Sequence, residues 1–294
     1  MKNKAFVYIL FLLAGISPLF GQSDSAGSSK YEFMPSGLHF LPLKGNNQEA
    51  KIGVLYYPED ANLKLDIGNS IDLVKLNFNS FNSRLTFGID FMAYAYSTSF
   101  KGNRLQIDAL DGLFGGNACF SKDFSDNKFF TRFRIIHNSA HFADGHYDIS
   151  TKSWIGNQSP IPFTRDFGEL LFAYEWIKTN SSAKIYGGPA YSTLVRPSVL
   201  KKYSFCGGFE YAFINAFGKV LNKDSNVFLT YYFNLAGTPV YQGNNNILLG
   251  MKFGNWYGKG FVLYTNYYSG NNVFSEYYKD RIKKFGIGFL VDFE

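Results

Sequence analysis

Between residues 84 and 97 the chain reads RLTFGIDFMAYAYS, with Leu85, Phe87, Ile89, Phe91, Ala93 and Ala95 on one alternation and Arg84, Thr86, Gly88 and Asp90 opening the other. Successive side chains of an extended strand point to opposite faces, so this segment has one apolar and one polar side. Repeated segments of this kind, separated by turn residues, are the signature of strands that cross a membrane as a closed barrel. A helical membrane protein is excluded, because beyond the first twenty or so residues no apolar run approaches the ~18 residues a spanning helix needs.

The composition agrees with a barrel. The 294 residues include 32 Phe, 21 Tyr and 29 Gly with only 18% charged residues, a balance suited to aromatic girdles at the two membrane surfaces. The net charge of +6 has no basic helix or nucleic-acid motif behind it, so it points to anionic lipid headgroups or lipopolysaccharide rather than to nucleic acid. Lys2 and Lys4, the apolar run from Ala5 to Leu13 and the small residues ending at Gly21 read as a cleaved signal peptide over 1–21. The expected location is the outer membrane of a Gram-negative cell. Cys119 and Cys206 form no metal motif, and their spacing leaves buried thiols and a disulfide equally open.

Residues 22–50 read as a linker and a periplasmic segment, with MPSGLHFLPLKGNNQEA expected in or below the periplasmic mouth. Strands are expected at 51–58, 62–78, 84–97, 104–120, 128–141, 165–178, 182–193, 202–217, 226–236, 246–255, 260–269 and 282–294. The expected fold is therefore all-β: a transmembrane up-and-down antiparallel β-barrel of about twelve strands over 51–294. Even parity places connections near 80, 124, 180, 221 and 257 in the periplasm, and those near 60, 99, 153, 197, 240 and 275 outside. Twelve strands are too few for a wide porin.

The central segment, KFFTRFRIIHNSAH over 128–141, carries the chemistry. Alternation puts Arg132 and Arg134 in the lumen with Asp90 and Glu210, as a salt-bridge network filling a narrow barrel. His137 and Ser139 fall on the opposite, lipid-facing alternation, a base and a hydroxyl at the end of an apolar face. Such a pair suits general-base activation of a serine nucleophile. A third group must orient the imidazole. In the next strand Leu170, Phe172, Tyr174 and Trp176 define the lipid face, so parity selects Asp166; Glu169 is the alternative if a bulge shifts the register. His141 reads as interfacial. Asp144, His146 and Asp148 read as solvated loop residues rather than a metal cluster, and Tyr267, Tyr268, Tyr277 and Tyr278 as a headgroup-level girdle.

The pieces PSGLHFLPL, RFRIIHNSAHFADGHYD, IYGGPAY and YYSGNNVFSEYYKDRIKKFGIGF resemble the bacterial outer-membrane barrel family termed domain of unknown function 1207. The His-x-Ser strand, the external loop after it and a polar residue on the next strand also resemble outer-membrane phospholipase A, and the smaller lipid A deacylases. That resemblance implies His137 as base and Ser139 as nucleophile on the lipid-facing wall. It departs at the third member, since Gly168 stands where the phospholipase has its asparagine. The residues call for no cofactor; calcium enters through the resemblance alone, and the serine-rich calcium signature is not evident. The final alternation of Phe285, Ile287, Phe289, Val291 and Phe293 resembles the signal read by the barrel assembly machinery, the partner implied beside outer-membrane lipids. A second copy of the chain remains open as a partner. Three roles follow: a structural barrel, a lipid acyl hydrolase acting through His137 and Ser139, and a narrow channel governed by Arg132 and Arg134.

Overall fold

The computed structural model describes residues 31–100 and 103–293; the signal peptide expected over 1–21 lies outside them. Twelve long strands run β1 Ile52–Tyr57, β2 Asn62–Phe78, β3 Ser83–Phe100, β4 Asn103–Asp123, β5 Asn127–Phe142, β6 Phe163–Lys178, β7 Ser181–Arg196, β8 Tyr203–Phe213, β9 Lys223–Gly237, β10 Tyr241–Gly254, β11 Gly260–Asn271 and β12 Arg281–Asp292. Each pairs antiparallel with its neighbours in sequence. The sheet closes where Ile52–Tyr56 of β1 pairs with Ile287–Val291 of β12. The result is the expected closed antiparallel barrel, and closure leaves no long edge. Connections fall where the sequence places them, with short turns at 79–82, 124–126 and 179–180 and the long 143–162 connection at the other end.

Alternation sorts the residues. Phe87, Ile89, Phe91, Phe133, Ile135, Leu249, Leu263 and Ile287 are exposed on the outer wall, while Thr86, Asp90, Arg132, Arg134, Glu169 and Glu210 are buried inside. An outer wall of this composition is stable against hydrocarbon and not against water.

The segment before β1, expected in or below the periplasmic mouth, runs inside the barrel over Phe40 to Glu49. Tyr31–Phe33 pairs with Val74–Leu76 of β2. The chain then enters the lumen, where Phe40, Leu43, Asn46 and Glu49 are buried. Arg132 reaches Glu49 with two hydrogen bonds, 3.0 and 2.5 Å, and its guanidinium lies 4.5 Å from the centre of the Phe40 ring. Arg134 donates to Glu169 at 3.0 Å and to the Gln48 carbonyl at 3.1 Å. The Lys44 N–H donates to Glu210 at 2.5 Å, and Asn246 donates to the Gly45 carbonyl at 2.7 Å. Gly45 is required there, since a Cβ would stand 2.9 Å from both Thr230 Oγ1 and Tyr232 Cβ. The physical reason for this placement is the lumen itself. Two buried guanidiniums need more carboxylate than the wall supplies, and Glu49 brings it from the entering segment.

The tyrosine-bearing segment at the other end departs from expectation. The loop 272–280 folds inward through the short turn Ser275–Tyr277, whose Ser275 N–H donates to Asp111 at 3.0 Å. Gln158 from the 143–162 connection donates to the Glu276 carbonyl at 3.3 Å. Of the four tyrosines read as a girdle, Tyr267 is exposed, whereas Tyr268 and Tyr278 are buried and Tyr277 packs over the lumen. Adjacent positions 267 and 268 must face opposite ways, so the two cannot share a girdle. Both cysteines are buried free thiols.

Arg134→Ala leaves Glu169 and Glu49 with an uncompensated buried charge. The expected loss is about 3–5 kcal/mol, read as a lower unfolding midpoint in denaturant titration of the detergent-solubilised protein.

Candidate active site

β5 presents Arg132, Arg134, Ile136, Asn138 and Ala140 to the interior and Phe133, Ile135, His137, Ser139 and His141 to the outside, as parity requires. Ile135, 61% exposed, marks the wall just below the polar pair. His137 lies opposite Asp166 of β6 on one side and Phe114 of β4 on the other. Its Nδ1 is 2.6 Å from Asp166 Oδ1, with the two side chains 35% and 40% exposed. The Phe114 ring centre is 4.9 Å from the imidazole and covers part of it.

Asp166 therefore occupies the position that parity assigned. With Nδ1 engaged, a neutral His137 donates from that nitrogen and leaves Nε2 as the acceptor. Ser139, two residues nearer the rim, lies between Gly112 of β4 and Thr164 of β6. A Cβ on Gly112 would lie 4.0 Å from Ser139 Oγ, so its absence leaves the space beside the hydroxyl open. The row at the height of Ser139 is accordingly small and accessible.

The alternative orienter is not realised. β5 and β6 pair without a register shift, and Glu169, 6% exposed, is bound to Arg134 in the lumen. His141 is outward and exposed, opposite Leu110. Asp166 accepts from His137.

His146 overturns the reading of a solvated loop residue. It is 2% exposed, with Nδ1 2.8 Å from Asp108 and Nε2 3.0 Å from the Gln158 carbonyl. The Tyr277 hydroxyl donates to the same carboxylate, and the Phe142 ring stacks on the imidazole at 3.7 Å. The cluster joins residues 38 and 131 positions apart, so no local sequence pattern could have shown it. Burial raises the nearby Glu276 carboxyl above the usual carboxylate range. Among the described residues no three His, Cys, Asp or Glu side chains come together as a metal site.

A closed twelve-stranded antiparallel barrel with an apolar outer wall and a charged interior defines a transmembrane barrel of the outer-membrane type. Among solved structures it is similar to outer membrane phospholipase A from Escherichia coli, with a TM-score of 0.50 at 12% identity over 83% of this chain and 93% of that one. The beta domain of the Bordetella autotransporter BrkA matches at a TM-score of 0.41 and 10% identity, covering 82% of this chain and 96% of that one. OmpT of Vibrio cholerae matches at 0.35 and 11%, covering 82% and 95%. At these identities the likeness concerns the fold alone. No family model matches the chain, so the resemblance to domain of unknown function 1207 gains no support there, and no curated protein matches it.

Diethylpyrocarbonate is expected to modify His141 and His137 in the folded, detergent-solubilised protein and to spare His146, whose two ring nitrogens are both engaged. Peptide mass mapping reads the outcome; modification of His146 ahead of His137 would contradict this arrangement.

Proposed function

We propose that the protein is an integral outer-membrane lipid acyl hydrolase, with Ser139 as nucleophile, His137 as general base and Asp166 as the orienting carboxylate. The observation that carries this reading is the 2.6 Å contact between His137 and Asp166 at the end of an outer face that carries Phe133 and Ile135. Ionisable groups facing hydrocarbon are costly, and Phe133, Ile135 and Leu170 show what this wall carries elsewhere. A lipid ester arriving laterally meets the pair without entering the barrel.

The chemistry proposed is general-base acyl transfer. His137 Nε2 takes the Ser139 proton as Oγ attacks the ester carbonyl carbon, and Asp166 stabilises the imidazolium through Nδ1. The imidazolium then protonates the departing alkoxide. Water hydrolyses the acyl-enzyme by the same path in reverse roles, releasing a fatty acid and restoring Ser139. The candidate substrates are the acyl esters of phospholipid and of lipid A. The fold likeness to a protein named a phospholipase supports the reading. In this proposal the chain reaches the outer membrane through its signal peptide and the assembly machinery.

A narrow channel is the weaker reading, because residues 38–50 occupy the lumen around Arg132 and Arg134. A structural barrel remains as the outcome of a negative test.

The test is fatty-acid release from phospholipid and from lipid A vesicles, with calcium and with chelator. Ser139→Ala is expected to abolish release, and Asp166→Asn to lower it by roughly 10²–10⁴-fold. Glu169→Gln is expected to lower the unfolding midpoint and keep release per folded molecule. No release by the unaltered protein from either lipid, in either condition, would overturn the hydrolase and leave the structural barrel and the narrow channel.

A further inference from the structure

The two strands that carry the outward His137–Asp166 pair carry a second pair immediately behind it. Asn138 and Arg165 are direct partners across β5 and β6, one residue from the outward pair and therefore facing the lumen. They do not bond each other. Asn138 is 1% exposed with its Oδ1 unpartnered, and Arg165 Nε is also buried without a partner. The Arg165 guanidinium lies 4.7 Å from the centre of the Phe167 ring and forms no ion pair with any described residue. This contrasts with Arg132 and Arg134 on the neighbouring strand, each of which meets carboxylates.

Both groups line a cavity of about 120 Å³ between the entering segment and the inward-folded 272–280 loop. Its lining includes eight asparagines and one glutamine, five Tyr or Phe side chains, no carboxylate, and Arg165 as the single charge. The terminal N–H groups of a guanidinium without a carboxylate partner suit an anionic oxygen, and amide side chains suit hydroxyls. Amides in number suit a polyol, and aromatic faces suit the C–H side of a sugar ring.

We propose that this lumenal cavity binds a small hydroxylated organic anion of the sugar-acid class. The carboxylate pairs with the Arg165 guanidinium, and the hydroxyls engage the surrounding amides. A free monosaccharide acid is the occupant, since the cavity has room for one small solute and the entering segment closes its floor. This site is independent of the outward serine and of whether that serine is catalytic.

Isothermal titration calorimetry of the full-length detergent-solubilised protein with D-glucuronate tests the proposal, with D-glucose and acetate as comparison ligands. Glucuronate is expected to bind at least roughly tenfold more tightly than either, because it alone offers a carboxylate for Arg165 together with hydroxyls for the amides. Arg165→Gln is expected to weaken glucuronate binding by about tenfold or more and to leave Ser139-dependent acyl release intact. Asn138→Asp sets a negative charge against the ligand and is expected to do the same, which keeps the test decisive should Arg165→Gln fail to fold. No binding of glucuronate by the unaltered protein, or equal binding by a folded variant, overturns the proposal.

Discussion

The structure depends on the neutralisation of charge inside a narrow barrel. Arg132 and Arg134 are almost wholly buried, and guanidiniums withdrawn from water destabilise a fold unless carboxylates meet them with good geometry. The wall offers Glu169. Glu49, delivered by the segment that precedes β1, completes the set with paired hydrogen bonds to Arg132. The position of residues 38–50, the filling of the lumen and the fixed orientation of β5 against β6 follow from that requirement. So does the placement of the outward pair, because β5 and β6 keep their register while their inner faces are clamped.

The period of two makes each strand a two-sided device. On β5, His137 faces out and Asn138 faces in; on β6, Asp166 faces out and Arg165 faces in. Two chemically different environments are thereby built back to back on a pair of strands, one against hydrocarbon and one in a polar cavity. Neither needs a dedicated loop. A one-residue slip in pairing would exchange them, so the lumenal clamp protects both at once.

Much of this was legible in the sequence. Twelve alternating segments gave the barrel, and parity alone placed Arg132 and Arg134 inside, His137 and Ser139 outside, and Asp166 rather than Glu169 beside the histidine. These succeeded because side-chain direction in a strand is fixed by local geometry. The failures lie where direction is not local. MPSGLHFLPLKGNNQEA has no strand period, so nothing in it says that Glu49 meets Arg132, a partner 83 positions away. His146 sits in a polar run and is buried only because Asp108 and Tyr277 come from other elements. Tyr277 and Tyr278 looked like a membrane girdle because aromatic content records amphipathic surface without saying which surface.

The threaded segment ties the lumen to the seam of the barrel. The seam between β1 and β12 holds five paired residues, fewer than any other junction of the barrel. Asp292, at the end of β12, receives Lys44 from the threaded segment at 3.3 Å and Lys252 from β10 at 2.6 Å. One carboxylate at the end of the last strand thus holds the lumenal filling and β10 together beside the seam, so Asp292 is the latch between wall and cork.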